Sequence, residues 1–479
     1  MITSRRKQNA AIALGIALIL LGLVANQWVL TVLFSDDRSI QFSGKVAIIW
    51  VVDLTLITVG IWFVARRGNP KVSGLSANLL LFSGSTVVVM VILELLFPLA
   101  QRALPLEVRT YIPWPYTILS QSTKSSRVPE GYVAIFGDSY AEGDGDWYRE
   151  TGKSSSDLLA NALHKDVVTF GYGGASSISG IAVNPIVALR RLRYRVGIED
   201  PKSILIYFYE GNDLEGNLTD LSRRLPNYFE LMATSTLSEE QFHNYLDEAV
   251  LRTDGLVPPD VVKGREIIAS KFIAAGFLWN VTQRLFGTWN RPGLIADTIT
   301  NIFKEDTPEK KVVKRNEKQN QRNVVDLDMG TTELPANLQG PALQLTEEER
   351  QLGITLFEYS LTYAQKQFKN SEFTIVYVPS VLSSYRLRSS VTVQRYLRDR
   401  SSEFESELVY STSNWIAIQL QRIARQQGIR FIDPRKEFRA SGRLVHGPKD
   451  FKHFNRTGYE ILSRKIMSEL SVGAAREFK

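Results

Sequence analysis

Three long apolar segments near the N-terminus constrain the fold of this chain most. Residues 10–34 are apolar almost throughout, a second apolar run covers 46–65, and a third covers about 77–100. A helix of about 20 apolar residues spans the ~30 Å hydrocarbon core of a bilayer. The first run is also too long for the apolar core of a cleaved signal peptide. We therefore predict an α-helical transmembrane anchor with three spans over residues 1–104.

The basic residues around these segments predict the orientation of the anchor. Lys and Arg in short loops stay on the cytoplasmic side of a membrane. Basic residues precede the first span and lie between the second and third spans, namely Arg5, Arg6, Lys7, Arg66, Arg67 and Lys71. We therefore expect a multi-pass protein of the cytoplasmic (inner) membrane whose chain is extracytoplasmic after residue 104.

Two carboxylates fall within the predicted spans, Asp53 in the second and Glu94 in the third. A carboxylate is costly in hydrocarbon and is by default a functional candidate there. Neither span contains a basic partner, so we favour the interpretation that each carboxylate faces another helix.

Composition excludes several functional classes. The net charge of +7 suggests an acidic partner, but much of the basic excess flanks the apolar segments, so no nucleic-acid partner is expected. The chain contains no cysteine, which excludes disulfides, thiolate nucleophiles and cysteine-ligated metals. It also lacks a phosphate-binding loop and a cluster of metal ligands, so we predict that no cofactor is needed.

From residue 131 onward, short β-rich runs alternate with helical patterns. The predicted strands are 132–136, 167–170, 203–209, 373–378 and 430–432, and the predicted helices are about 152–164, 184–195, 350–369, 406–427 and 456–470. This alternation is typical of a parallel sheet covered by helices. Right-handed crossovers then give a three-layer α/β sandwich.

The domain boundaries follow from this pattern. We predict a linker over 105–130, the first part of the α/β domain over 131–213, an insert over 214–348 and the second part over 349–479. In the insert, the apolar stretch 272–279 is expected to be internal core, with a membrane lid as the alternative. The stretch 304–322 mixes dense opposite charges and is expected to be solvated.

Four segments carry residues suited to acyl transfer. They contain Gly137-Asp138-Ser139 after the first strand, Gly173-Gly174 after the second, Gly211-Asn212-Asp213 after the third, and Asp450 with His453 near the C-terminus. A serine nucleophile needs a base, here His453, and an acid that orients the base, here Asp450. The backbone N–H groups of Ser139 and Gly174 and the Asn212 amide are the candidate oxyanion donors.

These four segments resemble those of the SGNH, or GDSL-type, hydrolases. The resemblance covers roughly 131–470 apart from the insert. It implies a flavodoxin-like sandwich with Ser139 as nucleophile, His453 and Asp450 as the rest of the triad, and Gly174 and Asn212 in the oxyanion hole. Of the other histidines, His164 and His243 are expected at the surface and His446 at the rim of the site.

The predicted anchor and the resemblance together lead us to expect a membrane-anchored extracytoplasmic serine esterase that cleaves O-acyl esters of envelope or exported glycans. An O-acyltransferase that acylates a polysaccharide would use the same residues. A non-catalytic carbohydrate-binding module of an export complex is a second alternative. The expected partners are an acylated glycan or a lipid-linked substrate, the membrane and an envelope-assembly complex.

Overall fold

The computed structural model describes residues 2–24, 46–100, 112, 114–126, 128–224, 238–254, 273–274, 276–278, 281–282, 323–397 and 399–477. The chain divides into two compact units. Unit 1 comprises Met1–Thr117 with Leu251–Phe303, and unit 2 comprises Ile118–Val250 with Lys304–Lys479. The charge-mixed stretch 304–322 lies outside the described residues.

Unit 1 contains three apolar helices, α1 (Ile2–Val24), α2 (Val46–Ala65) and α3 (Pro70–Ala100). Among the described residues, Pro70–Glu94 is the one helical stretch long and apolar enough to cross a membrane, while Gln8–Leu23 and Trp50–Ala65 are apolar but shorter. The second and third predicted spans coincide with α2 and most of α3. α1 covers the first predicted span up to Val24, and residues 25–34 of that span lie outside the described residues. Insertion in a membrane stays a prediction.

Small residues let α1 and α2 pack closely. A Cβ added at Gly15 would lie 2.6 Å from the carbonyl oxygen of Gly60, and a Cβ at Gly60 would lie equally close to the carbonyl oxygen of Gly15. Glycine at such a crossing brings two helix backbones together without steric conflict. Asp53 on α2 is buried within this unit.

Glu94 is hydrogen bonded to the backbone of a segment of the predicted insert. Its carboxylate oxygens accept the backbone N–H groups of Ile273 at 2.6 Å and Ala274 at 2.9 Å. The ring of Phe97, one turn further along α3, lies 4.9 Å from the ring of Phe277. The carboxylate satisfies N–H groups that begin a helical turn. The described part of 272–279 therefore packs on α3 of unit 1, and its expected position in an insert core is wrong.

Unit 2 is built on a five-stranded parallel sheet. Its strands are β1 (Val133–Phe136), β2 (Val167–Thr169), β3 (Ser203–Tyr209), β4 (Glu372–Val378) and β5 (Arg430–Ile432). The spatial order is β5-β4-β3-β1-β2, and every neighbouring pair is parallel. All five predicted strands are confirmed, with β2 ending one residue earlier than predicted.

Helices cover both faces of this sheet. On one face, Ile135 and Leu205 belong to the same buried cluster as Leu462. On the other face, the ring of Phe208 lies 5.1 Å from that of Phe357. The α-helices that the structure describes in unit 2 and the adjoining chain are Ser139–Glu142, Asp146–Thr151, Ser155–Leu163, Asn184–Val196, Asp213–Arg224, Glu239–Asp254, Glu347–Gln367, Ser406–Gln426, Arg435–Ala440 and Arg456–Glu477. Shorter helical turns are Tyr116–Ser120, Ile178–Val183 and Leu382–Ser384. The α/β class predicted from the sequence is therefore present, including its five predicted helices.

Antiparallel strands complete unit 2. Asn323–Leu327 and Gly330–Leu334 form a hairpin that also pairs with Arg386–Leu387, and Val391–Thr392 pairs with Glu403–Phe404. Val325 and Leu334 are buried in the same cluster as the parallel strands. The end of the segment predicted as an insert therefore contributes to the core of unit 2.

Part of the predicted linker also packs in unit 2. The Gln121 side chain donates to the Thr169 carbonyl at 2.7 Å and accepts the Thr169 N–H at 2.9 Å. The Thr123 hydroxyl donates to the carbonyl oxygen of Val167. These residues thus extend along the outer edge of β2.

Candidate active site

Ser139 lies in a tight turn directly after β1. It begins the helix Ser139–Glu142, for which Asp138 is the N-cap and accepts the Tyr140 N–H at 2.9 Å. Gly137 has a φ of +145°, and a Cβ there would lie 2.8 Å from the carbonyl oxygen of Tyr207 on the adjacent strand. The turn therefore requires glycine, and it places Ser139 at the carboxyl edge of the sheet, where α/β proteins bind ligands.

Ser139, His453 and Asp450 form one hydrogen-bonded chain. The distance between Ser139 Oγ and His453 Nε2 is 2.9 Å, and that between His453 Nδ1 and Asp450 Oδ2 is 2.8 Å. In a neutral imidazole that donates Nδ1–H to the carboxylate, Nε2 is free to accept the serine proton. The structure thus brings together the three residues assigned to the triad from the sequence.

The surroundings of Asp450 keep it ionised. Burial raises the pKa of this carboxyl group, but the hydrogen bond from His453, the Lys452 N–H at 2.8 Å and the nearby Arg149 outweigh burial. The resulting pKa is about 2. Asp450 is therefore a carboxylate at neutral pH, as an acid that stabilises an imidazolium must be.

A second carboxylate and a cation adjoin this chain. Asp144 Oδ2 lies 4.0 Å from His453 Nδ1. Arg149 Nη2 lies 3.0 Å from Asp450 Oδ2 and 3.2 Å from Asp144 Oδ1. Sequence reasoning missed both residues, although Asp144 lies in the acidic run that follows Ser139. The pairing of this run with Asp450 depends on the fold and has no sequence signal.

The same cluster contains groups of the kind that can bind a metal ion. Donor atoms of Asp144, Asp450 and His453 lie within 4.8 Å of one another. However, the guanidinium group of Arg149 already contacts both carboxylates, and His453 Nδ1 is hydrogen bonded to Asp450. The donor set therefore fits a hydrogen-bonded ion-pair network better than a metal site.

Tyr140 and Asp146 hold the loop that carries His453. Tyr140 donates to the Lys452 carbonyl at 2.6 Å, and its ring lies 5.4 Å from that of His453. Asp146 accepts the N–H groups of Lys449 at 2.8 Å and Asp450 at 3.2 Å. The position of the base is thus fixed from both sides by residues near Ser139 in the chain.

The structure places Gly174 and Asn212 on loops at the same edge. Gly174 follows β2 with a φ of +75°, a left-handed conformation that favours glycine. Asn212 follows β3 and is half-buried. Burial raises the pKa of Asp138 to about 6, and Asn212 is among the groups that oppose this shift. Both oxyanion assignments stay predictions.

The loop after β2 is pressed against the Ser139 turn. A Cβ added at Gly171 would lie 2.3 Å from the Glu142 nitrogen and 2.8 Å from the Asp138 carbonyl oxygen. The Tyr172 N–H donates to the Gly137 carbonyl at 3.2 Å. These contacts fix the loop that carries Gly174 relative to Ser139.

The carboxylate before Gly211 has a structural role. Glu210 is buried and accepts the Ser380 N–H and hydroxyl, each at 2.7 Å, as well as the hydroxyls of Tyr377 and Ser383. Four donors satisfy a carboxylate that would otherwise be costly to bury. Glu210 therefore joins the loop after β3, and with it Asn212, to the end of β4.

Two histidine predictions are wrong and one is confirmed. His446 is fully buried: its ring packs beside Phe454, and its Nδ1 lies 2.9 Å from the Tyr385 hydroxyl oxygen. His243 is buried as well, with Nε2 3.0 Å from the carbonyl oxygen of Tyr359. His164 is exposed as predicted, at the C-terminal cap of its helix.

Neither a protein-family model nor a curated protein matches this chain. The class is therefore defined by the fold and the site: an α/β protein with a serine–histidine–aspartate chain at the carboxyl edge of a parallel sheet.

Proposed function

We propose that this protein is an SGNH-type serine hydrolase that cleaves O-acyl esters through an acyl-Ser139 intermediate. The observation that carries the proposal is the hydrogen-bonded chain from Ser139 Oγ through His453 to Asp450. The strand order supports it, because 2-1-3-4-5 is the order of flavodoxin-like sheets. The four sequence segments support it independently.

In the proposed first step, Ser139 Oγ attacks the ester carbonyl carbon while His453 Nε2 takes the hydroxyl proton. Asp450 keeps Nδ1–H directed toward itself and stabilises the imidazolium. The bond between the carbonyl carbon and the alcohol oxygen then breaks, and His453 gives its proton to the departing alcohol. Ser139 is left acylated.

The negative charge of the tetrahedral intermediate needs donors at the Ser139 turn. The Ser139 N–H is suited to this role because the first N–H groups of a helix have no acceptor within the helix. Gly174 N–H and the Asn212 amide are the other proposed donors, on the loops after β2 and β3. One such donor contributes about 3 kcal/mol to lowering the barrier.

In the second step, His453 takes a proton from water or from a sugar hydroxyl, and that oxygen attacks the carbonyl carbon of the acyl group. The bond between this carbon and Ser139 Oγ then breaks, and His453 returns its proton to Oγ. Water releases a carboxylic acid, which makes the protein an esterase. A sugar hydroxyl makes it an O-acyltransferase, the alternative that uses the same residues. Both outcomes restore Ser139 and require no cofactor.

We further propose that the hydrolase unit works outside the cytoplasm, held at the inner membrane by α1, α2 and α3. The distribution of Lys and Arg around these helices supports this orientation. An enzyme held there would meet envelope or exported glycans and lipid-linked intermediates, and would be suited to an envelope-assembly complex.

The test is covalent labelling of the full-length protein in detergent by a fluorophosphonate probe. We expect labelling of the wild type and none of Ser139→Ala. His453→Ala should label very slowly, Asn212→Ala about 100- to 1,000-fold more slowly than the wild type, and the control His164→Ala at the wild-type rate. Labelling that survives Ser139→Ala would overturn the proposal.

A further inference from the structure

We propose that Arg149 and Asp144 are positioning residues that act on the His453–Asp450 pair. Arg149 holds Asp450 in place and opposes protonation of His453, whereas Asp144 favours protonation of His453. This inference rests on the proposed function, because it concerns the base of that reaction. It adds two residues that neither the sequence motifs nor the triad itself includes.

Arg149 contacts the same oxygen of Asp450 that is hydrogen bonded to His453. Its Nη2 lies 3.0 Å from Asp450 Oδ2, the same oxygen that lies 2.8 Å from His453 Nδ1. The guanidinium group also binds both oxygens of Asp144, through Nε at 3.3 Å and Nη2 at 3.2 and 3.3 Å. Arg149 therefore bridges the two carboxylates and fixes the side of Asp450 that faces the imidazole ring.

The backbone around Asp144 is itself held in place. Its carbonyl oxygen accepts the Tyr459 hydroxyl at 2.6 Å, and its Oδ1 accepts the Gly145 N–H at 2.8 Å. Gly145 has a φ of +136°, and a Cβ there would lie 2.6 Å from the Phe454 carbonyl oxygen. Asp144 and Arg149 are thus anchored directly against the segment that carries His453.

The charges of the two residues act on His453 in opposite directions. A carboxylate near the ring favours the imidazolium form, whereas a cation disfavours it. The charged and titratable groups that act on or contact His453 are Asp138, Glu142, Tyr140, Asp144, Asp450, His446 and, through the carboxylates, Arg149. Without Arg149, the carboxylates would hold the proton on His453 more strongly and leave less neutral base.

Asp144 also offers a second acceptor. Its Oδ2 lies 4.0 Å from His453 Nδ1, which is beyond hydrogen-bond distance while Asp450 is present. If Asp450 is shortened to alanine, Asp144 becomes the remaining carboxylate on this side of the ring. We therefore expect Asp450→Ala to label faster than the double variant Asp450→Ala/Asp144→Asn.

The experiment measures the rate of fluorophosphonate labelling against pH for the full-length protein in detergent. The midpoint of the rate–pH profile is compared between variants. In Arg149→Gln the midpoint should move up, and the shift should be modest because solvent screens the largely exposed Arg149. In Asp144→Asn it should move down, and in the double variant it should return close to the wild type. Arg149→Lys keeps the charge and should keep the midpoint.

Arg193→Gln is the matched control, because it also breaks an exposed Arg–Asp pair, with Asp200, away from the site. Its midpoint should not move. If Arg149 and Asp144 had a purely structural role, their variants would lower the labelling rate without moving the midpoint of the pH profile in opposite directions. That result would overturn the inference. The proposed function fails separately, when labelling does not depend on Ser139.

Discussion

At the scale of single residues, the grouping of Ser139, His453 and Asp450 was predictable from the sequence, while the burial of the other histidines was not. Serine, histidine and aspartate are among the few side chains that suit the three proposed roles, so their types and motifs single out these positions. Burial of a histidine in a loop has no such signature. His446 lies in a glycine-bearing loop without periodicity, and its contact with Tyr385 depends on residues 61 positions away.

The buried His446 predicts an acid-sensitive contribution to stability. Burial, together with the nearby His453, lowers its pKa from 6.5 to about 3. Between these values the unfolded chain binds a proton that the folded protein does not, so the contribution is present above pH 6.5 and is lost as the pH falls toward 3. We expect the free energy of unfolding of the wild type to fall relative to that of His446→Gln by about 2–3 kcal/mol between pH 6.5 and 4.5.

Urea-induced unfolding of the full-length protein in detergent, followed by circular dichroism at both pH values, measures this difference. Other groups, including the buried carboxylates, titrate in both proteins, so their contributions cancel in the comparison. Exposed His164 provides the control, and His164→Gln should keep the wild-type pH dependence. Equal pH dependence of the wild type and His446→Gln would contradict the prediction.

At the scale of elements, regular patterns were predictable and short irregular pairings were not. The parallel strands were found because apolar runs such as Ser203–Tyr209 are buried on both faces. The hairpin formed by Asn323–Leu327 and Gly330–Leu334 was missed, since both strands are short and the second is largely polar. The hairpin contributes to the core through Val325 and Leu334, and two apolar residues in short strands give no periodic signal in the sequence.

The role of the close contact between the loop after β2 and the Ser139 turn can be tested by a substitution that adds a single methyl group. In Gly171→Ala the added Cβ would lie 2.3 Å from the Glu142 nitrogen and 2.6 Å from the Ala141 carbonyl carbon, so the backbone must shift. We expect fluorophosphonate labelling to slow by at least about tenfold, because misplaced catalytic geometry is costly.

The control for this change is Gly173→Ala in the same loop. There, the nearest atom to an added Cβ is Glu142 Oε2 at 3.4 Å, an ordinary contact with the end of a flexible side chain. Gly173→Ala should label much faster than Gly171→Ala. Equal rates for the two variants would show that the close approach at Gly171 does not position the site.

At the scale of the whole molecule, the sequence predicted an apolar N-terminal region and an α/β region, and both are present. It did not predict that a later segment returns to the first region. Glu94 was recognised as unusual for a span, but its partners are the backbone N–H groups of Ile273 and Ala274, which every residue type provides. A carboxylate that binds backbone N–H groups does not require a particular residue type as its partner. No sequence motif can therefore reveal which segment it binds.

The proposed orientation is tested with a pair of reporter fusions. A reporter that is active only outside the cytoplasm should be active after residue 110 and inactive after Gly68, which lies in the basic turn between α2 and α3. A cytoplasmic reporter should give the reverse pattern. Activity of the first reporter at Gly68 but not at residue 110 would invert the orientation and remove the argument for envelope substrates.

The hydrogen bond between Ser139 and His453 joins residues that are 314 positions apart. During synthesis, Ser139 and its turn therefore emerge long before His453, the proposed base. A nascent chain has no hydrogen-bonded serine until His453 itself has been added and its loop has docked on Tyr140 and Asp146. Any premature stop before that residue leaves a product whose Ser139 lacks this base, so the order of the chain delays activation until unit 2 is nearly complete.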